Sequence, residues 1–260
     1  MRLREAFWLP AVLLAGWEIL CRFGEIPAFL LPAPSQVAAA LVLNAPLLFR
    51  HTLVTLEEIL LGITGAVVVA FLLALTLFSR PGLRKALAPL LAASQALPIF
   101  ALAPILVFWL GYGLASKVLV AGLVIFFPIT IALLDGLRSC DPDLEDLFRL
   151  WGASFRARLR FLLLPHALPW FLSGLKVGVT ISTIGAVIGE WVGAQAGLGF
   201  LILQSNARLR TDVVFAAVAV LTGLGLGFWF GIEALEKRLL AWRDEPRQYV
   251  QAIHQRRVSH

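Results

Sequence analysis

Residues 141–165 read DPDLEDLFRLWGASFRARLRFLLLP, and the way this stretch folds decides what the chain around it must be. Asp141 is an N-cap acid followed by proline at the first helical position. Glu145 and Asp146 add negative charge where the helix dipole is positive, so a short helix starts here. Along it Leu144, Leu147, Phe148 and Trp151 fall at i, i+3, i+4 and i+7 as one apolar stripe, while Asp143, Glu145, Asp146 and Arg149 lie away from it. Gly152 supplies the left-handed stop. A second helix begins at Ser154, with Phe155, Leu159, Leu162 and Leu163 on one face and Arg156, Arg158 and Arg160 on the other, and Pro165 is expected to end it. The stretch predicts two short amphipathic helices bent at a glycine.

On both sides this charged segment gives way to apolar runs near the ~20 residues that cross a bilayer core. The 260 residues are 60% hydrophobic and only 15% charged, with mean hydropathy +0.87. A soluble globule cannot hide that much apolar surface, and disorder or a collagen-like repeat would need a different composition. Six runs qualify, at about 7–23, 53–78, 87–110, 118–137, 172–192 and 213–235. Between them lie a loop at 138–170 and, after them, a tail at 236–260. The expected fold is all-α, a six-helix transmembrane bundle making one domain. The third run holds Pro89, Pro98 and Pro104, tolerable in lipid only where neighbours satisfy the freed carbonyls, so it is expected to break or kink. The first run passes into Cys21-Arg22-Phe23-Gly24-Glu25 without a small-residue cleavage site and reads as a retained anchor.

Lys and Arg set the orientation. Sixteen of the 22 lie on the side of the 138–170 loop and the two termini, five on the other, and Lys176 lies within a span. Both termini are therefore expected in the cytoplasm, and the net charge of +6 meets anionic headgroups rather than nucleic acid. Cys21 and Cys140 fall on opposite sides of the membrane, so no disulfide is expected, and no CxxC or CxxxH spacing offers a zinc site. The four histidines, among them His51 and His166, form no Ser/His/Asp or Cys/His set. No catalytic residue, metal or cofactor is expected in this chain.

Periodicity leaves two readings of 141–165 open: both stripes lie on the membrane surface, or an aromatic-rich helix docks in a groove of a soluble partner. Spacing arbitrates. Asp146-Leu147-Phe148, three residues, Gly152, nine residues from Ala153 to Phe161, then Leu162-Leu163-Leu164-Pro165 resemble the EAA loop of ABC-importer permeases, E-A-A, three residues, G, nine residues, I-x-L-P. The departures are Asp146 for glutamate, Leu147 and Phe148 for the alanines and Leu162 for isoleucine. Pro165-His166-Ala167-Leu168-Pro169-Trp170, Ser173-Gly174-Leu175-Lys176, and Gly189-Glu190-Trp191-Val192 with Gly197-Leu198-Gly199 are similar to permeases for sulfonates, nitrate, taurine and thiamine-related pyrimidines. Residues 95–104, with Phe126-Phe127-Pro128-Ile129-Thr130 and Asp135-Gly136-Leu137-Arg138, resemble the pyrimidine members most.

The resemblance implies a type I ABC importer in the bacterial inner membrane. It implies a pore of two permeases, here a homodimer. Cytoplasmic ATPases would dock on Asp146, Leu147, Phe148, Trp151, Gly152, Ala153, Leu164 and Pro165, and a periplasmic or lipid-anchored binding protein would deliver solute. The chain has no Gly-x-x-x-x-Gly-Lys-Ser/Thr, so ATP belongs to the partner subunit. The solute implied is a thiamine pyrimidine precursor, with sulfonate, taurine or nitrate as the alternative. A gradient-driven transporter is the rival class, but it would show midplane ionisable residues and an inverted repeat. Of the intramembrane polar residues, Gln95, Pro98, Thr183 and Glu190 are candidates to line the pathway. Glu57, Glu58 and Glu190 are also expected near the outer boundary, where headgroups and water could solvate them. Lys176 either snorkels or pairs with Asp135. Gly62 and Gly65, Gly174 and Gly178, and Gly223, Gly225 and Gly227 are expected at helix contacts.

Overall fold

The computed structural model describes residues 3–24 and 26–242. They form helices α1 (Leu3–Phe23), α2 (Pro34–Leu43), α3 (Ala45–Ser79), α4 (Pro81–Ala96), α5 (Ile99–Leu110), α6 (Leu114–Arg138), α7 (Pro142–Leu150), α8 (Phe155–Arg158), a π turn (Leu159–Leu163), α9 (Leu164–Gly193), α10 (Leu198–Ala207) and α11 (Thr211–Leu239). Among the described residues, Ala45–Ser79, Leu114–Arg138, Phe155–Gly193 and Thr211–Leu239 are long and apolar enough to cross a membrane, and α4 with α5 supplies a fifth span if the pair counts as one. The first expected run, 7–23, falls on α1. The expected tail lies outside the described residues beyond position 242.

The run 87–110 is not one helix. α4 stops at Ala96, and Pro98 caps α5 in extended backbone at φ −69°, ψ 113°. Proline has no N–H to give and pushes the residue before it out of the helical region, which breaks the run at Leu97-Pro98.

The expected end at Pro165, and with it the long 138–170 loop, is corrected. One helix of 39 residues runs from Phe155 to Gly193 through Pro165 and Pro169. Proline's ring collides with the carbonyl four residues back, here that of Phe161. The π turn just before it, with Leu164 N–H bonded to Leu159 O, widens the ladder where that collision would fall. The connector between α6 and this helix is therefore only α7 and its flanking turns.

The described residues divide into two compact units, those within 1–62, 97–123 and 182–225 in the first and those within 63–96, 124–181 and 226–260 in the second. The first has one apolar core around Val37, Leu48, Leu198, Leu201 and Val213 and another around Ala103, Val120 and Ile188. In the second, Ile125, Ile129, Leu172 and Val179 form one cluster and Leu77, Leu137, Leu163 and Ala167 another. There α9 lies directly on α6. A Cβ on Gly174 would stand 2.5 Å from Ala132 Cβ and 2.8 Å from Pro128 O, the close approach that Gly174-x-x-x-Gly178 was read for. Gly65, Gly223 and Gly227 instead have nothing within 4 Å of such a Cβ. Many large apolar side chains face outward, Val42 and Phe108 among them, as suits a protein solvated by lipid.

Candidate functional site

The α7 segment is built from its local sequence. Asp141 Oδ1 accepts from Asp143 N–H at 2.9 Å, and Pro142 follows at the first helical position. At the far end Ala153 N–H donates to Phe148 O (3.0 Å) and Gly152 N–H to Arg149 O (2.9 Å). This paired closure needs a left-handed residue, and Gly152 sits at φ +72°. Ser154 Oγ then caps the next helix by accepting from Ala157 N–H at 3.3 Å.

Charges fasten the elbow. Arg149 lies 3.0 Å from Asp146 and 3.4 Å from Glu145, and Glu145 also lies 3.8 Å from Arg158 across the turn. Arg158 is largely buried, and its Nε and Nη1 make no hydrogen bond. None of the α7 side chains is buried. Leu150 is 83% and Trp151 72% exposed, and Leu144 and Leu147 are also exposed. The result is a capped, glycine-turned knob with an uncovered apolar face. Of the sequence-predicted residues, Asp146 to Ala153 form this knob, while Leu164 and Pro165 sit further along, where α9 starts. His166 belongs to α9, 3.1 Å from Ser139 Oγ. Cys140, just before α7, is buried, and burial first and Glu145 second push its thiol pKa up.

A second constellation lies inside the first unit. α10 opens on Gly197-Leu198-Gly199-Phe200, without a side chain able to cap its own N-terminus. Its free N–H groups are met from elsewhere. Glu190 Oε2 accepts from Gly199 N–H (2.5 Å) and Phe200 N–H (3.2 Å). Thr55 Oγ1 accepts from Leu198 N–H (2.8 Å) and donates to Glu190 Oε1 (2.6 Å). His51 Nδ1 accepts from Gly197 N–H at 3.0 Å, so its ring proton sits on Nε2. Lys117 Nζ pairs with Glu58 Oε1 at 3.1 Å. Gly197 is required by its φ of +113° and because a Cβ there would strike the Glu190 carboxyl.

The expectation that water and headgroups solvate Glu58 and Glu190 is overturned. Glu58 is 0% and Glu190 1% exposed; Glu58 within α3 is buried against Lys117, whereas Glu190 exchanges water for the backbone donors at the N-terminus of α10. For the same reason Glu190 offers no surface to a passing solute. Glu57 is exposed, as are Gln95 near the end of α4 and Pro98 in the break, while Thr183 on α9 is half-buried. Lys176 pairs with Glu236 at 2.5 Å and lies 5.3 Å from the Trp229 ring centre. Asp135 pairs with Arg138 instead, at 3.9 Å.

Long apolar helices, a bent helix pair and a glycine-turned knob between two apolar helices describe a helical membrane protein with an exposed connector. Residues 62–241 match the family described as the binding-protein-dependent transport system inner membrane component, and the chain belongs to that family. It is 40% identical over 240 residues to a probable ABC transporter permease protein of Haemophilus influenzae, covering 92% of this chain and 98% of the relative. It is 40% identical to the formylaminopyrimidine transport permease protein ThiX of Halalkalibacterium halodurans, over 90% of this chain and 94% of that one. To the taurine transport system permease protein TauC of Escherichia coli it is 32% identical, over 90% and 88%. In fold it is similar to the structure of the MetNI methionine ABC transporter in an inward-facing conformation, with TM-score 0.67 and 20% identity, over 75% of this chain and 97% of that one. The chain is thus a multi-pass inner-membrane subunit of an ABC importer for small solutes. It is not an enzyme; ATP is hydrolysed on a separate subunit, and a solute-binding protein serves as partner.

Proposed function

We propose that this permease carries a thiamine pyrimidine precursor, of the hydroxymethylpyrimidine kind. The observation that carries the reading is the order of likeness. At 40% identity stand relatives named for formylaminopyrimidine and riboflavin, both nitrogen heterocycles, whereas the taurine and sulfonate relatives stand at 32% and 29%. The test is uptake in vesicles holding the chain with its ATPase and binding protein. Saturable, ATP-dependent entry of labelled formylaminopyrimidine, uncompeted by taurine, is expected. Entry competed by taurine or alkyl sulfonates and not by pyrimidines would move the chain to the sulfonate branch.

In this reading the α7 knob is where the ATPase docks, two copies of the chain form the pathway, and both termini face the cytoplasm. Support comes from the knob's caps at both ends and its bare apolar face: a groove that covers Leu147, Leu150 and Trp151 can move the helix Phe155–Gly193 as a lever. Gly152→Asp puts a side chain where φ is +72°, and it should abolish co-purification of the ATPase while leaving membrane insertion intact. Full retention of the ATPase by that variant would remove the knob from the docking role.

A further inference from the structure

α10 ends in the same hydrogen-bond pattern as α7. Arg210 N–H donates to Ser205 O (2.9 Å) and Leu209 N–H to Asn206 O (3.0 Å), which places residue 209 in the left-handed region at φ +56°. Leucine is disfavoured there, and its side chain is 67% exposed. The turn is nonetheless held in place. Thr211 Oγ1 donates to Ala28 O at 2.7 Å, and Arg210 Nη2 donates to Asn44 Oδ1 at 3.3 Å.

Beside this turn, within the first unit, lies an open cleft of about 440 Å³ whose lining is of two kinds. Phe29, Leu43 and Leu209, all exposed, make an apolar lip. Arg210, Gln36 and Asp212 make a polar part. Arg210 spends one guanidinium nitrogen on Asn44. Gln36 Oε1 accepts from Ala33 N–H at 3.0 Å, which leaves its amide N–H groups to donate. Asp212 lies 3.8 Å from Arg210, too far for a hydrogen bond, and keeps its acceptor capacity. Exposed Arg208 adds a second cation, so the charge around the turn is positive on balance. Arg210 immediately precedes α11, whose apolar run begins at Val213. The cleft therefore stands where a span leaves hydrocarbon and meets headgroups.

An apolar lip joined to a cluster of donors and one carboxylate fits an amphiphile. We propose that this cleft binds a phospholipid whose head joins a phosphate to a primary ammonium. The phosphate takes the donors of Arg210 and Gln36 in the field of Arg208, and the ammonium N–H groups donate to Asp212. The acyl chains leave over Phe29, Leu43 and Leu209. Covered by them, Leu209 recovers the apolar contact that its backbone conformation denies it within the chain. The positive balance draws the phosphate, and Asp212 selects the head. A choline has no N–H to give that carboxylate, and a purely anionic head brings it no cation. In the orientation proposed above the lipid belongs to the leaflet facing away from the cytoplasm. The site itself depends neither on that orientation nor on the solute carried.

The test uses the full chain, purified and stripped of lipid, in native mass spectrometry with dioleoyl phosphatidylethanolamine, phosphatidylcholine and phosphatidylglycerol as probes. The ethanolamine lipid should bind about tenfold more tightly than the choline lipid. Asp212→Asn should erase that preference while leaving the choline lipid bound as before, an outcome that misfolding does not imitate. Arg210→Ala should weaken both lipids about tenfold at an unchanged thermal midpoint. A photoreactive ethanolamine lipid should crosslink to the peptides holding Phe29, Leu43 or Leu209. Equal affinity for the ethanolamine and choline lipids, or a preference that survives Asp212→Asn, would overturn the site. Tightest binding of the glycerol lipid would reduce it to unselective attraction by charge and overturn the selected head. Crosslinks confined to other surfaces, or a cleft covered by a second copy or by another protein in place of lipid, would overturn the occupant.

Discussion

Glu190 makes its case through the donors around it. Removing the carboxylate leaves the Gly199 and Phe200 N–H groups without an acceptor and leaves the Thr55 hydroxyl only His51 O, at 3.2 Å, to donate to. Glu190→Ala should therefore cost about 3–5 kcal/mol, and Glu190→Gln, which keeps one carbonyl oxygen, about 1–2 kcal/mol. Thermal midpoints in detergent read this order, and equal small shifts would mean that the network does not hold α10. Gly197→Ala should lose about 3 kcal/mol, because only glycine is at ease at φ +113° and the new methyl meets Glu190. At Cys140 burial raises the thiol pKa and Glu145 adds to it. A maleimide at neutral pH should label this cysteine only after denaturation, and prompt labelling of the folded protein would contradict its burial.

At the scale of the element, the proposed docking role of α7 can be separated from its contribution to stability. Leu150 is almost wholly exposed, so Leu150→Asp should change stability by no more than about 0.5 kcal/mol yet sharply reduce ATPase co-purification. Loss of folding would instead mean that this face is covered within the chain. The two caps, the proline at the first position and the glycine stop of α7 were legible in sequence because each acts over a few residues of contiguous backbone. Pro165 misled for the same reason. Read locally, a proline ends a helix, but a π turn absorbs its ring and α9 continues for another 28 residues to Gly193. α2 and α10, ten residues each, escaped notice because apolar runs this short match neither a span nor an amphipathic stripe.

For the whole molecule, the crossing of Phe155–Gly193 predicts a simple asymmetry. In a background without native cysteines, Arg149→Cys should react with a membrane-impermeant reagent only from the cytoplasmic side, and Arg208→Cys only from the opposite side. Labelling of both from one side would refute the orientation drawn from the Lys and Arg distribution. The Lys176–Glu236 pair ties α9 to α11 within the second unit. Its partner choice was not readable from sequence, where Asp135 looked equally placed at the same depth.

Composition, span length and charge asymmetry by themselves determined that this is a helical membrane protein, and the glycine and proline spacing of residues 146–165, with the stretches after it, resembled the family that residues 62–241 match. These are properties of the chain against its solvent or against its own near neighbours. Only the tertiary structure decided what Glu190 does, because its acceptor role depends on Thr55, 135 residues away in sequence, and on N–H groups freed by a helix that no sequence pattern announced. Only it decided that Leu209 is strained and presented outward, since a leucine carries no sign of its backbone angle until the hydrogen bonds at the end of α10 impose one.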